Sequence, residues 1–335
     1  YQHIYGIEKE DRLAKVAKVS AFMYGRKEIH IIDADALVPH DDIKEAGFNV
    51  LIANPPFAVE DFLLTVDEEH REKYTLMSTV NDVGNKNIQC FFLERAQQLL
   101  AANGVMGVIV PSSVLSNSDS MHIATREILL KYFDFISITE LGNNTFGKTG
   151  TNTVILFLRR KAQRPEPAEH YFNRVKNFFE DWTDEAASAG GAYLDTDVVR
   201  QYCVHTGIDY THYQTLLLGN ASDELLACEM FRDYRTDFDN LTEIKKLKDN
   251  KAFKAKTPTE QVAELTQRFS QYLQAIEQAK LYYFMLAHNN PCPVVLVKSP
   301  ADNKEQKKFL GYEWSGAKGS EGVIYNGGDT DRKST

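Results

Sequence analysis

Over the first 160 residues, short apolar runs alternate with stretches whose apolar positions recur at helical spacing. His3 to Ile7 is a short run ending in Glu8. From Asp11 to Tyr24, Leu13, Val16, Ala17, Ser20/Phe22 and Met23 fall near a period of about 3.6, predicting a helix that Gly25 closes. Ile29 to Ile32 predicts a second strand, followed by Asp33-Ala34-Asp35. Asn49 to Ala53 predicts a third, an unbroken apolar run of the kind a parallel strand covered on both faces shows. Helix resumes at Asn87, with Ile88, Phe91, Phe92, Ala96, Leu99 and Leu100 on one stripe and Asn103-Gly104 as its stop. Val105 to Val110 is the fourth strand.

A further helix, Thr125 to Tyr132, leads to two strands with no helix between them, Phe135 to Leu141 and Thr153 to Leu158. Strand, helix, strand in repetition implies right-handed crossovers and a parallel sheet, and a terminal pair joined by a loop implies an antiparallel hairpin at its end. The expected class is α/β, with ligands bound outside the carboxyl ends of the strands. The second half reads differently. Pro165-Glu166-Pro167 marks a boundary, and residues 170–290 read as mostly helical, with loops near Ala189-Gly190-Gly191 and Gly219-Asn220. Thr257-Pro258-Thr259-Glu260 is a helix-start pattern, after which Val262, Leu265, Phe269, Tyr272, Ile276, Ala279, Tyr283 and Leu286 fall at heptad a and d positions. This long helix, about 257–290, is either one arm of an intramolecular helical hairpin or a docking element for helices of a partner. Lys245, Lys246, Lys248, Lys251, Lys254 and Lys256 form a basic run, read as a solvated helix face or as a contact to DNA backbone.

Length then sets the domain count. A chain of 335 residues suggests two domains, expected at 1–162 and 163–335. With 43% hydrophobic and 25% charged residues, a disordered or fibrous chain is excluded. No apolar run approaches the roughly 20 residues a membrane helix needs, and no signal-peptide pattern opens the chain. Cys90, Cys203, Cys228 and Cys292 are widely spaced with no His at metal-ligand spacing, so no metal site is expected and the thiols read as reduced, in a cytoplasmic protein. The net charge of −9 argues against a protein that coats nucleic acid unaided.

The chemistry sits at the end of the third strand, in Asn54-Pro55-Pro56-Phe57. Two prolines fix φ and remove two N–H donors, leaving a stiff turn rich in acceptors. The Asn54 side-chain carbonyl and the Pro55 carbonyl offer two acceptors, and Phe57 offers a flat apolar face. Such a set suits an exocyclic amine on a planar ring. Holding both its hydrogens localises the nitrogen lone pair for attack on a methyl donor, with no strong base required.

On these residues the chain resembles the S-adenosylmethionine-dependent methyltransferases of amino groups, especially the N6-adenine DNA methyltransferases. Within that family it is similar to the modification subunit of type I restriction–modification systems, or to the methyltransferase part of a related fused restriction–methylation enzyme. The resemblance implies a Rossmann-like methyltransferase sheet, truncated at its N-terminus, followed by a mainly helical region. Glu8, after Ile7, matches the acidic strand end that binds the cofactor ribose. Asp35, with Ala36 beside it, matches the motif that contacts the cofactor adenine. Each acid read alone also fits a strand-end acid that caps the next helix. The resemblance makes Asn54, Pro55, Pro56 and Phe57 catalytic, with Asn54 also against the cofactor. It places Phe57 and Phe146 against a flipped adenine, extrusion of the base costing a few kcal/mol that stacking offsets.

Gly142 to Thr149 also fits the phosphate-loop pattern, but the β-branched run Thr151 to Leu158 that follows is strand, so no helix N-terminus would meet a phosphate. Lys148 is instead placed beside a DNA phosphate. Phe309 to Ser315 and Ala317 to Gly322 resemble a stretch of the type I subunits, so that 305–322 serves as a family marker. The family's Gly-rich cofactor loop should precede Tyr1, and this chain by itself is expected to bind S-adenosylmethionine negligibly and to be inactive alone. The implied activity is adenine-specific DNA methylation (EC 2.1.1.72), with double-stranded DNA, a specificity subunit and a restriction subunit as partners. Methylation of a protein glutamine or ribosomal RNA, and a non-catalytic assembly role, are the alternatives.

Overall fold

The computed structural model describes residues 3–25, 29–80, 85–142, 145, 151–162, 172, 173, 175, 176, 179, 193–217, 221–288, 290–300, 302, 305, 306, 312–314 and 323–325. It divides into two compact units, one of Tyr1–Arg164 with Pro291–Thr335 and one of Pro165–Asn290.

The first unit opens with β1 (Tyr5–Glu8), α1 (Asp11–Met23) and β2 (His30–Asp33). β1 and β2 pair in parallel with Glu8 opposite Asp33, as a crossover through α1 requires. A separate five-stranded sheet follows, in the order β3-β4-β6-β5-β7, from β3 (Phe48–Ala53), β4 (Leu100–Pro111), β5 (Phe133–Glu140), β6 (Thr153–Arg160) and β7 (Val295–Val297). β3 runs parallel to β4, whereas β6 enters between β4 and β5 antiparallel to both. The hairpin expected from the sequence is therefore present, its second strand lying inside the sheet. β7 adds a parallel edge beside β5, with the Ser137 hydroxyl donating to the Val295 carbonyl at 2.9 Å. β1 and β3 each have one edge paired to no described strand, and the Tyr5 ring meets Phe48 edge-on at 5.5 Å between them.

Between β3 and β4 come two 3-10 turns, Phe62–Thr65 and Thr75–Thr79, the short helix α2 (Glu68–Arg71), and α3 (Ile88–Leu99). Between β4 and β5 lie α4 (Ser113–Ser116) and α5 (Ser120–Tyr132). α5 is capped by Asp119, whose side chain accepts from the His122 N–H. Leu93, Ala96 and Leu129 of these helices pack with Met106, Val108, Val110, Val154, Leu156 and Leu158 of the sheet, forming the core of one sheet face. A second cluster joins Leu37, Phe62, Tyr74, Leu76, Phe91 and Met121 around the loops after β2 and β3.

Two expectations fail here. The unbroken apolar run of β3 is not covered on both faces, because Val50 is 61% and Ile52 86% exposed. The helix before β4 ends at Leu99, ahead of Asn103-Gly104. Those two residues form an irregularity where the β3–β4 register shifts, with Asn103 at φ 64°. A Cβ on Gly104 would lie 2.9 Å from the Ala101 carbonyl oxygen and 3.0 Å from that of Phe48, so only glycine lets the two strands approach there.

In the second unit, helices Tyr193–Thr206, Tyr210–Leu217, Asp223–Ala227, Glu229–Asn240, Thr242–Asp249 and Lys251–Lys254 precede a long helix, Pro258–His288. Thr257 and Glu260 cap that helix reciprocally, the Glu260 carboxylate accepting from the Thr257 N–H at 2.8 Å and the Thr257 hydroxyl accepting from the Glu260 N–H at 3.3 Å. Its buried stripe runs Phe269, Leu273, Glu277, Leu281 and Met285, a spacing of four, while Val262 and Ala279 of the expected heptad are exposed. Residues four apart form a row inclined to the helix axis, so this stripe runs obliquely across the helix as successive short helices pack on it. Glu277 is fully buried and accepts from the Tyr202 and Tyr234 hydroxyls at 2.8 and 2.7 Å.

Candidate active site

The carboxyl ends of the first three strands carry the polar residues. Glu8 closes β1, and its carboxylate accepts from the Glu10 N–H at 2.9 Å, closing the turn between β1 and α1. Its backbone carbonyl accepts from Ala34 N–H at 3.1 Å, which brings the ends of β1 and β2 together. Ile7 is half-buried and pairs with Ile32. Two residues beyond β2, Asp35 turns the chain: one carboxylate oxygen accepts from Leu37 N–H at 3.0 Å and the other from Lys9 Nζ at 2.7 Å. Each acid thus closes a turn, and neither caps the helix expected after it. A carboxylate has lone pairs for further donors, so this role leaves each available to a ligand.

Lys9 ties a third segment to these two. Its Nζ also reaches the Thr65 hydroxyl at 2.8 Å, and Thr65 ends the first 3-10 turn after β3. Lys9 and Thr65 escaped the sequence reading. The one signal was the position of Lys9 directly after Glu8.

Asn54-Pro55-Pro56-Phe57 follows β3 immediately. Pro55 is buried, Asn54 and Pro56 are exposed, and Phe57 is half-buried. Ala58 then takes a left-handed φ of 53°, a conformation that costs an L-residue about 1–2 kcal/mol and that turns the chain sharply behind Phe57. No described residue hydrogen-bonds the Asn54 side chain, and none joins it to Glu8 or Asp35. Phe146 and Lys148 lie outside the described residues. Among the described residues no group of three or more His, Cys, Asp or Glu could hold a metal, and no helix is long and apolar enough to cross a membrane. Cys90 is fully buried, and burial pushes its thiol up to about 11 against a hydrogen bond from Thr125.

This set of acceptors fits the nucleoside end of S-adenosylmethionine. Carboxylates at two adjacent strand ends suit the two hydroxyls of a ribose and the amino group of an adenine.

Crossover helices joining parallel strands, an antiparallel strand entering the sheet, and polar residues at the strand ends define a Rossmann-like methyltransferase fold. Residues 1–187 match the N-6 DNA methylase family, and the chain belongs to it. The type II restriction enzyme and methyltransferase RM.BcgI of Heyndrickxia coagulans is 22% identical over 164 residues, covering 49% of this chain and 23% of that protein. Defense against restriction protein B of Escherichia phage P1 is 27% identical over 123 residues, 37% of this chain and 5% of that one. Among solved structures, a type I restriction–modification methyltransferase subunit from Streptococcus thermophilus gives a TM-score of 0.37 at 19% identity, covering 47% of this chain and 33% of that one. The M protein of the type I restriction enzyme EcoKI gives 0.35 at 17% identity, covering 48% and 32%. The matched segments span less than a quarter of the length of these curated relatives.

Proposed function

We propose that this chain is the catalytic part of an adenine-specific DNA methyltransferase that works within a restriction–modification system. The observation that carries the reading is Asn54-Pro55-Pro56-Phe57 directly after β3, in a chain whose residues 1–187 belong to the N-6 DNA methylase family.

S-adenosylmethionine, when bound, supplies a methyl group on a sulfonium sulfur. The Asn54 side-chain carbonyl and the Pro55 backbone carbonyl accept the two N–H bonds of the target amine. Pro55 and Pro56 hold those acceptors in place at no donor cost. Fixing both hydrogens draws the nitrogen toward tetrahedral geometry and turns its lone pair outward. The amine proton leaves after transfer, so no side chain needs to act as a strong base. Phe57 stacks the extruded base, and the resemblance gives Phe146 the same role. Glu8, beside Ile7, holds the ribose hydroxyls, and Asp35, with Ala36, holds the cofactor adenine.

The charge of −9 suits a catalytic chain whose grip on double-stranded DNA comes from a specificity subunit, with a restriction subunit as a further partner. In the lysine run, Lys248, Lys254 and Lys256 already pair with Asp239, Asp249 and Glu264, which favours a solvated face over a DNA contact.

One experiment tests the reading. In the polypeptide its gene encodes, Asn54→Ala should abolish methyl transfer to DNA without lowering Tm. Retained transfer, or transfer to ribosomal RNA or protein instead, would overturn it.

A further inference from the structure

Two consecutive charged residues of α3 are almost wholly buried, Glu94 and Arg95, each 3% exposed. Buried charges cost several kcal/mol unless fully hydrogen-bonded, so their partners identify the segments they hold. Lying about 100° apart around the helix, they reach two different segments. The Glu94 carboxylate accepts from Thr75 N–H at 2.6 Å, from the Thr75 hydroxyl at 2.7 Å and from Leu76 N–H at 3.1 Å. It therefore fixes the start of the second 3-10 turn after Asn54-Pro55-Pro56-Phe57.

Arg95 points to the other segment. Its Nε donates to the Ala36 carbonyl at 3.3 Å, and its Nη1 donates to Glu45 at 3.1 Å and Gln98 at 2.7 Å. Tyr74 closes the bridge between the two. Its hydroxyl donates to the Leu37 carbonyl at 2.6 Å, and its ring packs on Phe91 of α3, centroids 5.4 Å apart. Burial pushes the Tyr74 phenol well above its ordinary range, so it stays a neutral donor at any pH the protein meets. The carbonyls of Ala36 and Leu37, the two residues after Asp35, are thus each held by a buried donor anchored on or against one helix.

We infer that Tyr74 and Arg95 are positioning residues for the cofactor: they hold the Asp35 turn from behind through the Leu37 and Ala36 carbonyls, so that the Asp35 carboxylate meets the adenine of S-adenosylmethionine. This rests on the function proposed above. Neither side chain hydrogen-bonds Asp35, and both act through the carbonyls of the two residues after it. Removing one fixed donor leaves a buried carbonyl unpaired, and the turn relaxes away from the geometry the ligand needs.

The test uses the polypeptide its gene encodes, with S-adenosylhomocysteine as the binding probe. Tyr74→Phe keeps the ring packing and removes only the hydroxyl, so it should fold, and Arg95→Met removes three hydrogen bonds. Each should weaken S-adenosylhomocysteine binding about five- to tenfold and raise the KM for S-adenosylmethionine in parallel, with kcat held within about twofold. Arg95→Lys, which can still donate to Ala36, should recover part of the loss. Hydrogen exchange should quicken at the Leu37 and Val38 amides. Wild-type binding with unchanged affinity in Tyr74→Phe would overturn the inference alone, as would a fall in kcat at constant KM. No binding by the wild type would overturn the inference together with the cofactor role of Asp35 beneath it, and the Asn54→Ala result tells whether the proposed methyl transfer falls as well.

Discussion

The two crossover helices α1 and α3 carry similar apolar spacing and have opposite surroundings. α3 is buried nearly all round, including Glu94 and Arg95. α1 buries only Ala14, and its larger apolar residues face outward, Val16 at 57% and Met23 at 78% exposure. The cause lies in what each helix meets. α3 lies against a five-stranded sheet, with α5 beside it. α1 lies against two strands alone, and a pair of strands about 5 Å apart is narrower than a helix about 10 Å across. Small residues, Ala14, Ala17 and Ala21, make its contact, and the rest of the apolar stripe stays exposed. An apolar period therefore predicts a helix but not its burial. Burial depends on how many neighbours the sheet supplies.

Substitutions can break or sharpen this contrast. The largest effect belongs to the covered face. Leu156→Ala on β6, fully buried in the sheet core, should cost about 2–5 kcal/mol by chemical denaturation. Next comes the join of β3 to β4, where Gly104→Ala would push a methyl into two backbone carbonyls and should cost about 1–3 kcal/mol. A smaller, pH-dependent effect sits at the cap of α5. Burial raises the Asp119 carboxyl, but bonds from the His122 backbone and ring outweigh it and hold the group below its ordinary 3.8. A depressed carboxyl stabilises the fold above that value and loses the effect as pH falls through the folded value. The stability gap between wild type and Asp119→Asn should therefore shrink below about pH 4. The smallest effect belongs to α1: Val16→Ser should change stability by less than about 0.5 kcal/mol. A cost at Val16 equal to that at Leu156 would mean that α1 is covered in the folded protein, and would erase the contrast.

Most of the first unit was legible in the apolar pattern. Tyr5–Glu8, Asp11–Met23, His30–Asp33 and Phe48–Ala53 lie within a residue or two of the expected elements, because strong local periods and a closing glycine at Gly25 mark them. What local pattern could not give was pairing. The insertion of β6 between β4 and β5, the edge strand Val295–Val297 and the exposure of Ile52 all depend on partners distant in sequence. The positions of Glu8, Asp35 and Asn54 at or just past strand ends were readable from the apolar runs that precede them. The supports behind them, Tyr74 and Arg95, were not: a lone Arg inside an apolar helix is a weak signal until its partners, Ala36 and Glu45, are known. The long helix shows a related limit of local pattern. Its neighbours are short helices, and its most buried residues follow a row four apart, oblique to the helix axis.

The central claim is that Asn54 holds the amine that receives the methyl group. It is tested most directly by transfer of tritiated methyl from S-adenosylmethionine to unmodified DNA, using the polypeptide its gene encodes and its Asn54→Ala variant. The wild type should place the label on N6 of adenine, and the variant should lose at least about a hundredfold in rate with Tm unchanged. Label on adenine at a similar rate from both proteins would contradict the account.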